Sequence, residues 1–174
     1  IDYSIILLEE ALEFSTPENN INNNLASFLS TTLIKKYTIL KLSNIKFKAI
    51  KLLEQNIMLN ERQNNVDHIA DSKTNLAILY SRIAKLEQGR TNLIKAIEIM
   101  EEVKLLITRE YDPRKNAKIM RIIGDLYYLR SKLPINQSEA GNRHIQNVIK
   151  FRTKSNKAYK KAEQMGFFQD ILPG

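Results

Sequence analysis

At 174 residues, 43% of them apolar and 26% charged, the chain is long enough to bury roughly 70% of its extended surface and too apolar to be wholly disordered. No apolar run approaches the roughly 20 residues of a membrane helix, and the absence of cysteine excludes disulfides and thiolate metal sites; such a chain is expected in the cytoplasm, without membrane insertion. The net charge of +8 is unevenly laid out: residues 1–20 carry Asp2, Glu9, Glu10 and Glu18 among their acidic side chains and no Lys or Arg, whereas residues 141–174 set seven basic side chains against Glu163 and Asp170.

Five Gly and four Pro leave a β-rich fold short of turns, while abundant Leu, Ile, Lys, Glu, Asn and Ala suit helices. Apolar residues at intervals of three and four predict about seven helices, near 4–14, 20–40, 44–62, 67–86, 91–109, 113–132 and 143–165. The first, "LLEEALEF", reads as the second helix of a unit cut off at its start. The break between the next two, near Leu42-Ser43, has neither Gly nor Pro. In the fourth helix Leu76, Tyr80, Ile83 and Leu86 form one apolar face, and Gly89 separates it from the fifth. There Glu98, Glu101 and Glu102 lie within a turn of Lys95 and Lys104, which reads as a solvated charged face. Asp112 as N-cap and Pro113 in the first turn open the sixth helix, whose core stripe is Ile119, Ile123, Leu126 and Leu133. "PINQSEAG" at 134–141 leads to the last helix, a cap turning Ile145, Val148, Ile149, Arg152 and Tyr159 inward and its lysines outward.

Two of these helices echo each other. "NLAILYSRIAKL" (75–86) and "IGDLYYLRSKL" (123–133) align at an offset of 47, pairing Leu76 with Ile123, Ala77 with Gly124, Leu79 with Leu126 and Tyr80 with Tyr127. The same offset pairs Arg62 with Arg109, Ala70 with Ala117, and Ala49 with Ala96 inside "KFKAIKLL" and "LIKAIEIM". Small, aromatic and aliphatic positions recurring at one period mark a stacked-helix array. Ala70, Asn75, Leu76, Ala77, Glu87, Gly89, Leu93, Ala96, Thr108, Arg109, Glu110 and Pro113 fall in order on a pattern that resembles the tetratricopeptide family, in an extended bacterial variant longer than the ordinary unit of about 34 residues. After Ala117, Ile123 and Gly124 an insertion intervenes, so that "NVIKF" aligns with "NLIKA" only at an offset of 55, with Phe151 in place of Ala.

The resemblance implies an all-α superhelical stack of antiparallel helix pairs, an α-solenoid forming one domain over 1–174. Its units would be 1–16 (partial), 17–66, 67–112 and 113–165 with a divergent cap, followed by a tail at 166–174.

Chemistry-bearing patterns are scarce. The chain has no G-x-x-x-x-G-K, G-x-G-x-x-G or H-E-x-x-H, and His68 and His144 have no second His or Cys at ligand spacing. No enzyme, metal or cofactor is expected. Tyr80 and Tyr127 recur on the apolar stripe and read as core. Lys118, Arg121, Asp125, Tyr128 and Lys132 share the opposite face of the sixth helix; their equivalents one unit earlier are Asp71, Thr74, Ile78, Ser81 and Lys85. An ordinary solvated face would show the same spacing. In the tetratricopeptide family this face lines the concave, peptide-binding groove. The resemblance therefore implies a protein-binding scaffold for an acidic peptide or helix, with Lys118, Arg121, Asp125, Tyr128, Thr74 and Ile78 as contacts and Arg82 beside them. Two alternatives stand: nucleic-acid binding through Lys150, Lys154, Lys157 and Lys161 of the last helix, or a sensor or interaction module of a larger, enzymatic chain, as an opening at Ile1 rather than Met suggests.

Overall fold

The structure, a computed structural model, describes residues 25, 28, 29, 31–33, 35, 36, 43–85, 89–133 and 142–164. These residues contain helices and no strand. Among the described residues there are six helices; of the seven expected, the one over 4–14 lies outside them. They are α1, seen at positions between 25 and 36, α2 (Ser43–Arg62), α3 (Val66–Ala84), α4 (Gly89–Leu106), α5 (Pro113–Lys132) and α6 (Asn142–Gln164). The chain divides into two compact units, Ile1–Arg82 and Ile83–Gly174.

In the first unit, α2 buries Ile45, Ala49, Leu53 and Ile57, a four-residue spacing that keeps one stripe facing inward. A three-residue turn then reverses the chain. Asn64 adopts the left-handed conformation at φ 52°, which Asn tolerates better than most residues. Its N–H donates to the Glu61 carbonyl (3.2 Å), and the Asn65 N–H donates to that of Asn60 (3.0 Å). Together these bonds close the C-terminus of α2 as a Schellman motif. Asn65 then caps α3, its Oδ1 accepting the His68 N–H at 3.3 Å. The hairpin is pinned inside by Asn56, whose Nδ2 donates to Ser72 Oγ at 2.9 Å between buried side chains. Asn60 Nδ2 donates to the Asn56 carbonyl at 2.7 Å. Half-buried Lys73 and exposed Glu61 form an ion pair at 3.8 Å, of small energetic weight.

In the second unit, α5 lies between α4 and α6 and packs on both. Gly89 is the first residue of α4 rather than a separator: a Cβ there would stand 2.8 Å from the Ala84 carbonyl, so only glycine lets the chain re-enter a helix so close to the last one. Asp112 Oδ1 accepts the Lys115 N–H at 2.9 Å and Pro113 occupies the first turn of α5, as expected.

The 47-residue offset extends to burial. Ala49 and Ala96, Leu53 and Met100, Ala70 and Ala117, Leu76 and Ile123, and Leu79 and Leu126 are buried in pairs. The helix caps Asn65 and Asp112 are also 47 apart. The chemistry at equivalent positions differs: the buried, hydrogen-bonded Asn56 and Ser72 correspond to Val103 and Ile119, also buried and wholly apolar.

Removing the α3 cap by Asn65→Ala is expected to lower stability by about 1 kcal/mol. Asn64→Gly, at a position already left-handed, should leave the thermal midpoint nearly unchanged. Thermal unfolding followed by circular dichroism distinguishes the two.

Candidate functional site

The expected stripe on α5 is found on its surface. Lys118, Asp125, Tyr128 and Lys132 are exposed and Arg121 is half-buried, while Ile119, Ile123, Leu126 and Tyr127 turn inward. How much of the stripe is open to a partner depends on how α6 crosses α5.

The crossing is closest at Gly124. A Cβ on this residue would lie 2.8 Å from Cε1 and 2.9 Å from Cδ1 of Tyr159, so the Tyr159 ring occupies the space a side chain would need. The Tyr159 hydroxyl donates to Asp125 Oδ1 at 2.5 Å. Asp125, expected as a partner contact, thus also ties α6 to α5. Burial first, then the bond to Asp125, pushes the Tyr159 phenol up to about 12.

Along the same interface Tyr127 is buried and its hydroxyl donates to Glu101 Oε1 at 3.1 Å. Glu101 also holds Lys104 in an ion pair. From α6, Lys154 Nζ donates to the Tyr127 hydroxyl at 3.4 Å and stands 4.9 Å from its ring centroid. Phe151 stacks on Tyr127 with centroids 6.1 Å apart, and the Arg130 guanidinium lies 5.1 Å over Phe151. Burial, and after it the Glu101 charge, pushes the Tyr127 phenol up to about 12. Tyr127 therefore joins α4, α5 and α6 in one polar and aromatic cluster.

The inward face of α6 follows the sequence reading at Tyr159 and departs from it at Ile149 and Arg152. Ile149 and Arg152 are exposed, and the buried positions are Ser155, Ala158 and Ala162, with Phe151 and Tyr159 half-buried. The side chains of Ile145 and Val148 lie outside the described residues. Lys150, Lys154, Lys157 and Lys161 are exposed, as expected. Glu101 departs from the solvated face assigned to it, because Tyr127 and Lys104 both engage it.

Between the two helices lies a basic surface around Tyr128. Lys132 Nζ stands 4.4 Å over the Tyr128 ring. Its hydrogen bond and then its charge, with a smaller contribution from Arg152, hold the Tyr128 phenol below its ordinary value. Lys118, Arg121, Tyr128 and Lys132 of α5 thus share this unit with Arg152 of α6.

Thr74, Ile78 and Arg82 belong to α3 in the first unit. All three are half-buried, and Thr74 Oγ1 donates to the Ala70 carbonyl at 2.7 Å. Among the described residues no group of three His, Cys, Asp or Glu side chains could hold a metal ion, and no helix is long and apolar enough to cross a membrane. Comparison of the chain with family models, with curated proteins and with solved structures returns no match.

Raised phenols favour the neutral form in the fold, so what Tyr127 and Tyr159 contribute is complete below pH 10, the ordinary tyrosine value, and is lost as pH rises from there towards about 12. The thermal midpoint is expected to fall across that interval. The fall should be shallower in Tyr127→Phe and in Tyr159→Phe, each measured against its own midpoint near neutral pH.

Proposed function

We propose that the chain is a non-catalytic interaction scaffold that holds an acidic peptide or helix, and that its principal contact surface is the outer face of α5. The observation that carries this reading is the basic setting of an exposed aromatic: Tyr128, with Lys132 over its ring and Arg152 close enough to bias its hydroxyl. Lys118 and Arg121 continue the positive surface along the same helix. A carboxylate meeting a guanidinium there would form a charge-assisted hydrogen bond contributing about 1.5–3 kcal/mol. Tyr128 offers a flat apolar platform to the rest of the ligand, and Asp125, half of whose role is to hold Tyr159, would select against acidic side chains placed opposite it.

On this reading Thr74, Ile78 and Arg82 are contacts of the first unit, and the helices form a tetratricopeptide-like array. Burial repeating at 47 residues supports a repeat architecture. Nucleic acid is the weaker reading. Phe151 and Tyr159, the aromatics that would stack on bases from the basic α6, are turned against Tyr127 and Gly124, leaving the lysines alone to meet phosphates.

A fluorescent poly-glutamate peptide tests the proposal. Arg121→Ala combined with Tyr128→Ala is expected to weaken its binding at least about tenfold, equivalent to roughly 1.4 kcal/mol, and to leave the unfolding midpoint within a few degrees. Equal binding by the variant would refute the site. A preference for single-stranded DNA over the peptide, unaffected by the two substitutions and lost on replacing Lys154 and Lys157, would transfer the function to α6.

A further inference from the structure

The second unit has an outer face that the α5 surface does not use. α4 and α6 both run antiparallel to α5: Tyr127 meets Glu101 while Asn116 Nδ2 donates to the Ile107 carbonyl, and Gly124 meets Tyr159 while Tyr127 meets Phe151. The two outer helices are therefore parallel to each other. They come together at the Tyr127 hydroxyl, which joins Glu101 of α4 and Lys154 of α6. Their buried residues, Ala96, Met100 and Val103 on one and Ser155, Ala158 and Ala162 on the other, lie along one side of each helix, and the opposite sides of the two helices form a layer turned to water.

This layer carries large apolar side chains in water. Leu105 is 76% exposed, Ile149 58% and Ile94 38%. Ile94 and Ile149 stand at equivalent positions by the 55-residue offset, and Ile94 and Leu105 are three turns apart on one stripe. Exposure here is a property of the repeat: 47 residues before Ile94 and Leu105 stand Phe47 and Met58 on α2, 64% and 54% exposed. The flanking charges have opposite signs on the two helices. Between Ile94 and Leu105, α4 exposes Glu98 and Glu102 against Lys95; beyond Ile149, α6 exposes Lys150, Arg152, Lys154, Lys157, Lys160 and Lys161 against Glu163. An apolar ridge of net negative charge lying beside one of net positive charge is complementary to itself.

We propose that this layer docks a second copy of the chain, related by a two-fold axis running along the helices, so that α4 of each copy lies on α6 of the other. The axis keeps the facing helices parallel, and the repeat register then sets Ile94 beside the second copy's Ile149 and Glu102 beside the second copy's Lys157. Leu105 lies along the aliphatic stem of the second copy's Lys160. Each contact occurs twice, as a closed isologous dimer requires. The basic α5 surface stays outside the interface, so the dimer presents two copies of the proposed ligand site, and its existence does not depend on that site's function.

Light scattering coupled to size exclusion, on the full chain at micromolar concentration, reads the outcome. The unmodified chain is expected to be a dimer. Glu102→Lys and Lys157→Glu should each be monomeric alone, since each places like charges at both equivalent contacts, and an equimolar mixture of the two should restore a dimer. Leu105→Asp with Ile149→Asp should be monomeric while retaining its helical circular dichroism. A monomeric unmodified chain would overturn the proposal, as would a dimer indifferent to all these changes or failure of the mixture to pair. A monomer that co-sediments with anionic vesicles through Ile149 and Lys157 would also overturn it, and would assign the exposed stripe to a lipid surface.

Discussion

Helix α6 can lie on α5 as closely as it does because residue 124 has no side chain. The Tyr159 ring fills the space a Cβ would take, and its hydroxyl ends on Asp125, the next residue of the same helix. That contact sets the crossing, and several other features follow from it. Close approach requires small residues at the interface, hence Ser155, Ala158 and Ala162 on α6. It also brings Phe151 onto Tyr127 and Lys154 to its hydroxyl, and leaves Arg152 beside Tyr128. A glycine in mid-helix weakens the helix by roughly 0.5–1 kcal/mol relative to alanine, so the packing it permits must contribute more than that.

The surface proposed to bind ligand is a by-product of the same geometry. Tyr127 and Tyr128 are adjacent in sequence and point about 100° apart around α5, so one enters the cluster with Glu101 while the other stays in water under Lys132. Ion pairing and hydrogen bonding are concentrated on the inner member of this pair. The outer member is held in the field of Lys132 and Arg152, while Asp125, one turn away on the same face, is engaged by the Tyr159 hydroxyl; this suits a surface that must accept an acidic group supplied from elsewhere.

Much of this was legible in the sequence, for identifiable reasons. Helix positions follow from apolar spacing, and Asp112-Pro113 declares the start of α5 because both residues have their chemical advantage there. The 47-residue offset was readable because packing preserves side-chain size, and burial obeys it even where chemistry changes from Asn56 and Ser72 to Val103 and Ile119. The cap at Asn65 was readable in principle from its place 47 residues before Asp112, although Asn is common enough in this chain to hide it. The inner face of α6 was legible at Tyr159 but not at Ile149 and Arg152. Its large apolar residue Ile149 suggests burial but is exposed, whereas Ser155, Ala158 and Ala162, whose small side chains give no such signal, are buried. Likewise, periodicity identifies Tyr127 as core without indicating that its hydroxyl would meet Glu101, because hydrogen-bond partners 26 residues apart leave no local pattern.

A double-mutant cycle between Gly124 and Tyr159 tests the central contact most directly. If the ring excludes a side chain at 124, Gly124→Ala destabilises the protein despite alanine's better helix propensity, and chemical denaturation shows it as a lower midpoint. In a Tyr159→Ala background the obstacle is gone, and the same substitution should change sign and stabilise by up to about 1 kcal/mol. A Gly124→Ala effect that is stabilising in both backgrounds, or identical in both, would contradict the account, because the glycine would then be answering to something other than Tyr159.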